Sequence, residues 1–369
     1  MVINYGEGTP MTKILGVSFG TKNGNNDSIC KEVLKACQEA GCEVEFIQAQ
    51  SLEIKHCTGC IACVKALMSG RGNMCVHKDD FDWLAWKMFT SDGIIMVDPI
   101  FETGASGLFH TIMDRFGPRM DTGNNYIGMQ IAKGLLAEGK KGTVPPECVF
   151  HTGIPVSYIG IGGSDWGTHI QSDHQIQSMT PAWKVIDNEW IPWAKTALMK
   201  DEVVARAHQI GLNLAAAAKD PEHAEYQGAK GVCPHCNCND FYLYPGTNRA
   251  VCCVCGLQGK IVLTADGAVT VEYAEHDLAD ADGNVLLDKD GAPAFPGIYD
   301  EQGRERAHDT MGGKQIHGED IGKNEGILAE MQRTPEYKAR VAAYREFLSP
   351  SMPDADDRYA KFQDLGTRQ

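Results

Sequence analysis

Cys57-Thr58-Gly59-Cys60-Ile61-Ala62-Cys63 places three thiols at two-residue intervals, and Cys75 follows Gly70-Arg71-Gly72-Asn73-Met74. Three thiolates so spaced can wrap three corners of an iron–sulfur cubane while a fourth ligand comes from further along the chain. Reduced thiols that pack a loop and an isolated zinc ion are the alternatives for the same residues. A second group, Cys233-Pro234-His235-Cys236 and, fifteen residues on, Cys252-Cys253-Val254-Cys255-Gly256, has the two-knuckle spacing of a zinc ribbon. A rubredoxin-like single iron would use the same four ligands, but the knuckles do not both read Cys-Pro-x-Cys-Gly, which favours zinc at Cys233, Cys236, Cys252 and Cys255. Cys238 and Cys253 are spare, and Cys30, Cys37, Cys42 and Cys148 are scattered as core thiols would be.

Two loops could grip an anionic ligand. Ser18-Phe19-Gly20-Thr21-Lys22-Asn23-Gly24-Asn25-Asn26-Asp27 follows an apolar run and leads straight into a helical pattern. Free N–H groups and the positive end of a helix dipole converge at such a junction, and Ser18, Thr21, Lys22, Asn23, Asn25 and Asn26 add side-chain donors. No Gly-rich dinucleotide fingerprint is present, which favours a mononucleotide, FMN, over NAD as the held cofactor. Asp27 reads as a helix cap turned away from the anion. The second loop is Asp98-Pro99-Ile100-Phe101-Glu102-Thr103-Gly104-Ala105-Ser106-Gly107. In a doubly wound sheet the loops after the first and third strands flank the switch point where ligands bind. Gly104 permits close backbone approach to a flat ring, and Phe101 can supply an aromatic neighbour. A third loop, Gly160-Ile161-Gly162-Gly163-Ser164-Asp165-Trp166, also reaches the cofactor side. His169 and His174 beyond it read as surface or core histidines, with a proton donor as the alternative.

On these residues the chain resembles the NADPH-dependent FMN reductase and iron–sulfur flavoprotein group of the flavodoxin-like fold. Lys22-Asn23-Gly24-Asn25 matches the group's phosphate loop, while Asn26 stands where Thr is usual and Ser18-Phe19-Gly20 is altered. Pro99-Ile100-Phe101, Gly104, Ser106 and Asp114-Arg115 match its second loop. The cysteine run, Cys75 and the following Asp79-Asp80 match its cluster motif, with a longer gap between Cys63 and Cys75 than compact examples show. The resemblance covers roughly residues 12–219. It implies bound FMN contacted by Ser18–Asn26, Pro99–Ser106, Gly162 and Gly163, and a [4Fe–4S] cluster on Cys57, Cys60, Cys63 and Cys75. It also implies NAD(P)H or a ferredoxin as electron donor, and a homo-oligomer that builds the flavin pocket across a subunit boundary.

The elements that must position these residues are legible as alternating apolar runs and helical patterns, the signature of a parallel sheet flanked by helices. Strands are expected at Ile14–Val17, Val44–Ile47, Gly93–Val97, Val156–Ile161 and, most weakly patterned, within Lys184–Ile191. Helices are expected over Ser28–Ala40, with Gly41 as a left-handed stop, and over Val203–Ala218. The fold class is therefore α/β, a five-stranded flavodoxin-like sheet, with a small zinc-ribbon module at residues 228–262. Beyond it, 263–320 is rich in Asp–Gly turns that predict hairpins, including one at Asp288-Lys289-Asp290-Gly291, and Gly326–Leu348 reads as a helix. The polar stretch 1–11 and the polar C-terminal end are expected to be tails.

With 369 residues, 43% of them hydrophobic, and a net charge of −15, the chain can bury a sizeable core and does not suit binding to nucleic-acid phosphates. The ribbon segment carries only Lys230, Arg249 and Lys260 against Asp240, too thin a patch for that role. No long apolar run suggests a membrane span, and no basic-then-apolar leader suggests secretion, so a cytoplasmic location is expected, in keeping with the cysteine usage. Three functions fit: an FMN-dependent oxidoreductase serving a small-molecule or protein acceptor, a non-catalytic electron carrier, and a metal-binding module without flavin.

Overall fold

The structure is a computed structural model in which residues 11–287, 291, 293–355 and 358–361 are described. The N-terminal stretch before Met11 and the last eight residues, where tails are expected, and Asp288-Lys289-Asp290, where a turn is expected, lie outside the described residues. The first domain runs β1 (Lys13–Ser18), α1 (Asn25–Glu39), β2 (Glu43–Gln48), α2 (Ala62–Met68), α3 (Phe81–Phe89), β3 (Gly93–Pro99), α4 (Gly107–Met113), α5 (Gly117–Met120), α6 (Thr122–Ala137), β4 (Pro155–Ile161), α7 (Ile170–Met179), β5 (Lys184–Ile191) and α8 (Asp201–Lys219). Its five strands are all parallel in the order β2-β1-β3-β4-β5, the flavodoxin-like arrangement.

The central strands are apolar on both faces because both are covered, and successive residues serve opposite cores. Leu15, Val17, Ile94, Met96, Val156 and Tyr158 pack on one side with Phe81, Met88, Phe89 and Phe109. Ile14, Ile95, Val97 and Ile159 pack on the other with Ile29 and Val33 of α1 and Ile210 and Leu214 of α8. Each such side chain contributes roughly 1.5–3 kcal/mol on leaving water. Gly41, at φ +85°, ends α1 as expected: its N–H bonds the Gln38 carbonyl, and the Cys42 N–H bonds that of Cys37.

After α8 a four-stranded antiparallel sheet forms from β6 (Phe241–Leu243), β7 (Arg249–Cys252), β8 (Gln258–Leu263) and β9 (Val269–Glu272), in chain order. The last strand lies beyond the segment expected from cysteine spacing, because Val269 and Val271 pair with β8 without any metal-ligand signal of their own. Hairpin bridges at Ala279–Val285 and Tyr299–Glu305 follow, each turned on an aspartate. Asp280 accepts from the N–H groups of Asp282 and Asn284, and Asp300 from those of Gln302 and Arg304.

The single helix expected at Gly326–Leu348 is corrected to two, α9 (Met311–Arg333) and α10 (Pro335–Phe347). Pro335 has no N–H to continue α9, and the Thr334 hydroxyl accepts from the Tyr337 N–H to start α10 afresh. The chain divides into two compact units, the first ending at Gly318 and the second beginning at Glu319. No helix of the described residues is long and apolar enough to cross a membrane.

Candidate functional site

The loop between β1 and α1 is held from within. Asp27, buried in the first turn of α1, accepts from the Ser18 hydroxyl at 2.6 Å and from the Asn23 N–H at 2.6 Å. This corrects the expectation for Asp27. Asp27 is not the cap, which is Gly24 with no side-chain bond, and Ser18 gives its proton to Asp27. Asn23 takes a left-handed φ of +59° to make the turn. The Asn25 amide donates 2.8 Å to the Lys195 carbonyl, tying this loop to the one after β5. Gln48 donates to the Gly20 carbonyl at 2.7 Å from the end of β2. Thr21 and Lys22 are exposed at the tip. The Asn26 side-chain amide nitrogen is buried and has no partner. An orphaned donor at the start of a fifteen-residue helix is what an anion would satisfy.

The loop after β3 folds into a tight turn. The N–H and carbonyl groups of Phe101 and Gly104 bond each other at 3.1 Å, with Glu102 at φ +51°. Ser106 is buried as the cap of α4, accepting from the Phe109 N–H at 3.1 Å and donating to Asp98 at 2.6 Å. It supports the loop from within. Gly104 admits Asp173 so closely that a Cβ there would lie 2.2 Å from the carboxylate. Asp173 accepts from the Ala105 N–H at 2.8 Å, and Thr103 accepts from the His169 N–H at 2.9 Å. Pro99 and Ile100 close the end of β3, with the Ile100 N–H on the Ile161 carbonyl.

In the third loop Gly162 is buried and bonded to Ile191 and Ala194, whereas Gly163 is open. Phe101, Trp166 and Trp193 are all about 60% exposed on the loops after β3, β4 and β5 at the sheet's carboxyl edge. His174 is a core residue, stacked on Tyr158 at 5.0 Å. His169 is at the surface, with Nδ1 2.8 Å from Asp240.

Cys57, Cys60, Cys63 and Cys75 all line one cavity of about 100 Å³ together with His77, Arg115 and Arg119. Cys57 and Cys60 are exposed; Cys63 and Cys75 are half-buried. The loop is coiled by left-handed Gly59 and Ile61. The Ala62 N–H and then the Thr58 hydroxyl draw the Cys60 thiol below its ordinary pKa, whereas burial pushes Cys63 up. His77 Nε2 is buried with no partner at the same cavity. Beneath lies Arg115, which donates 2.7 Å to Asp79 and 2.7 Å to the Lys55 carbonyl and sits 3.6 Å from the Cys75 sulfur.

The second group is closed. Cys233, Cys236, Cys252 and Cys255 are buried with their sulfurs within 4.8 Å of one another, the one such group among the described residues. Sharing of protons with Cys236 pulls Cys233 down to about 6 and pushes Cys236 far up. Four thiols this close cannot all ionise without a cation to share, so the donor set suits a tetrahedral metal ion. Cys238 instead accepts from the Asp240 N–H. The ribbon core incorporates Met179 of α7, and Gln175 donates to the Cys236 carbonyl.

Residues 12–191 match a family model described as NADPH-dependent FMN reductase. A solved structure named flavone reductase is 45% identical, with a TM-score of 0.74, and the match covers 93% of this chain and 100% of that one. An iron–sulfur flavoprotein of Methanocaldococcus jannaschii is 30% identical over a match covering 42% of this chain and 79% of the relative. A flavone synthase of Aspergillus candidus is 24% identical, covering 70% of this chain and 80% of that protein. The chain belongs to the NADPH-dependent FMN reductase family.

It is an FMN-dependent oxidoreductase, and the carboxyl edge of the sheet fits that cofactor on two counts. The unpartnered Asn26 amide and the start of α1 suit a phosphate, and the exposed aromatics suit a flat ring. Sequence reasoning missed several residues that shape this FMN reductase edge: Gln48, Asp173, Trp193, Lys195 and Asp240. None belongs to a local motif, and each reaches the edge through a contact between distant segments.

Proposed function

We propose that this protein reduces a planar aryl enone of the flavone type, using FMN held between the β1–α1 and β3–α4 loops and electrons from NAD(P)H. The observation that carries the reading is similarity, at 45% identity over 93% of this chain, to a protein named flavone reductase, which extends well beyond the flavodoxin-like domain. A flavone has a carbon–carbon double bond conjugated to a carbonyl, and bound reduced FMN supplies the hydride that such a bond accepts. In this reading the Asn23–Asp27 turn and the Asn26 amide take the phosphate. The Phe101–Gly104 turn lies against the ring. Phe101, Trp166 and Trp193 provide apolar faces on which a flat substrate stacks with little loss of side-chain freedom.

The four cysteines around the first cavity would hold a [4Fe–4S] cluster, supported by their shared cavity, the orphaned His77 nitrogen and the similarity to iron–sulfur flavoproteins. The second group would hold zinc as a structural ion. The protein is proposed to act as a soluble cytoplasmic homo-oligomer, with ferredoxin as the alternative donor through the cluster. Anaerobic protein reconstituted with FMN should oxidise NADPH in the presence of flavone and yield a product two hydrogens heavier by mass spectrometry. Flavin that NADPH reduces normally but flavone never reoxidises would refute the substrate class.

A further inference from the structure

We propose that His169, oriented by Asp240 of the ribbon, delivers the proton that completes enone reduction at the flavin edge. The inference rests on the flavin placement and substrate class proposed above. His169 is anchored beside the β3–α4 loop: its N–H bonds the Thr103 carbonyl at 2.9 Å, and its Cβ is 3.8 Å from where a Cβ would stand on Gly104. Its ring is exposed, and only Nδ1 has a partner among the described residues, Asp240 at 2.8 Å. Nε2 is therefore left for a substrate.

The orienting carboxylate comes from a different module and is itself fixed. The Asp240 N–H donates to the Cys238 sulfur at 3.2 Å, and its carbonyl accepts from the Cys253 N–H at 3.0 Å. Ser172 on α7 donates to the same carboxylate oxygen. An exposed ion pair adds little stability, so docking alone gives no strong reason to hold the ring this way. Holding one tautomer and one ring orientation does. Other titratable groups in this neighbourhood include Asp173, one turn along α7 with its N–H on the His169 carbonyl, and His110 of α4, whose Nε2 is 3.7 Å from Asp173.

The step balances. The β-carbon of the enone gains a hydride from reduced FMN, the carbon–carbon π bond breaks, and its electron pair shifts towards the carbonyl. The α-carbon then takes a proton from Nε2 of protonated His169, which returns to the neutral form with its remaining proton on Nδ1 against Asp240 and is recharged from solvent. NAD(P)H is the overall two-electron donor.

The test separates the half-reactions by anaerobic stopped flow on the FMN-loaded full chain, with flavone as oxidant. His169→Ala should leave flavin reduction by NADPH within about twofold of wild type while slowing reoxidation by flavone about 100-fold or more, with partial rescue by imidazole. Any pH dependence of wild-type reoxidation should vanish in His169→Ala. Asp240 is a positioning residue: Asp240→Asn should change the His169 tautomer seen by nitrogen NMR and Asp240→Glu should restore it. FMN affinity by fluorescence titration and zinc content should be unchanged in all three variants. Wild-type reoxidation rate and pH profile in His169→Ala would overturn the proposal, as would loss of zinc or FMN in that variant, which would mark a docking contact. Failure of wild-type protein to be reoxidised by flavone would overturn the substrate reading and this inference with it, whereas normal wild-type turnover with an indifferent His169→Ala would overturn the inference alone.

Discussion

The two cysteine groups of this chain use the same ligand chemistry in opposite settings. Cys233, Cys236, Cys252 and Cys255 are buried, lie within 4.8 Å of one another and form the centre of their own small core. Cys57, Cys60, Cys63 and Cys75 ring a cavity, two of them in solvent, and the core of the sheet is complete without them. A closed tetrahedral set suits one ion that holds a small module together. An open ring over a rigid support suits a larger group that exchanges electrons with its surroundings, since thiolates around a cubane stand further apart than those around one ion. The support is not made of cysteine: the buried Arg115–Asp79 pair ties the strand-side chain at Lys55 to the Cys75 loop. One group makes its fold, and the other is carried by a fold already made.

The largest effect should come from breaking the closed set. Cys252→Ser should remove the second metal and most of the roughly 10 kcal/mol that a structural zinc site contributes to folding its module. Metal analysis should show zinc lost, and limited proteolysis should open the chain within 231–272 while the flavodoxin-like domain stays resistant. A ribbon that stays protected without zinc would erase the contrast between the groups.

Next in size is the support under the open set. Arg115→Met leaves the Asp79 carboxylate buried without its partner and should cost about 3–5 kcal/mol in denaturant unfolding. The same pair imposes a pH dependence. Burial by itself would raise the Asp79 carboxyl, but the Arg115 hydrogen bond and the Lys55 N–H hold it down at about 2, against an ordinary 3.8. A carboxyl depressed on folding stabilises the native state above its unfolded pKa and ceases to do so as pH falls through the folded one. Stability worth about 2 kcal/mol should therefore fade between pH 3.8 and about 2 in the wild type. Asp79→Asn should flatten that part of the profile.

What could be read in advance follows from which interactions are local. The strands β1, β3 and β4 announce themselves because a strand buried on both faces must be continuously apolar, and Gly41 because a helix stop needs a left-handed residue there. The four ribbon ligands are legible because metal geometry fixes their spacing. The roles of Ser18 and Ser106 are not, since whether a hydroxyl faces a ligand or a neighbouring aspartate depends on Asp27 and Asp98 being aimed at it. The start of α9 is hidden by Gly312, Gly313 and Gly318, which read as loop; Gly312 and Gly313 sit where the helix passes close to the backbone of Glu305 and Ala307, and Gly318 where it meets the Ile127 side chain. The contact between His169 and Asp240 joins residues 71 apart in sequence and carries no local sign at all.

The smallest effect on stability is the sharpest test of the comparison. Cys60 is exposed at the lip of the first cavity, and its thiol is stabilised as thiolate by the Ala62 N–H and the Thr58 hydroxyl rather than by packing. Cys60→Ser deletes no core contact, so the unfolding free energy of the iron-free protein should stay within about 0.5 kcal/mol of wild type. Iron and sulfide incorporated on anaerobic reconstitution should nevertheless fall several-fold, because a serine hydroxyl is a much weaker iron ligand than a thiolate. Zinc content should not move. A Cys60→Ser protein that unfolds as readily as a ribbon-ligand variant would mean that the first group also builds its fold, and the distinction between a carried group and a founding one would fail.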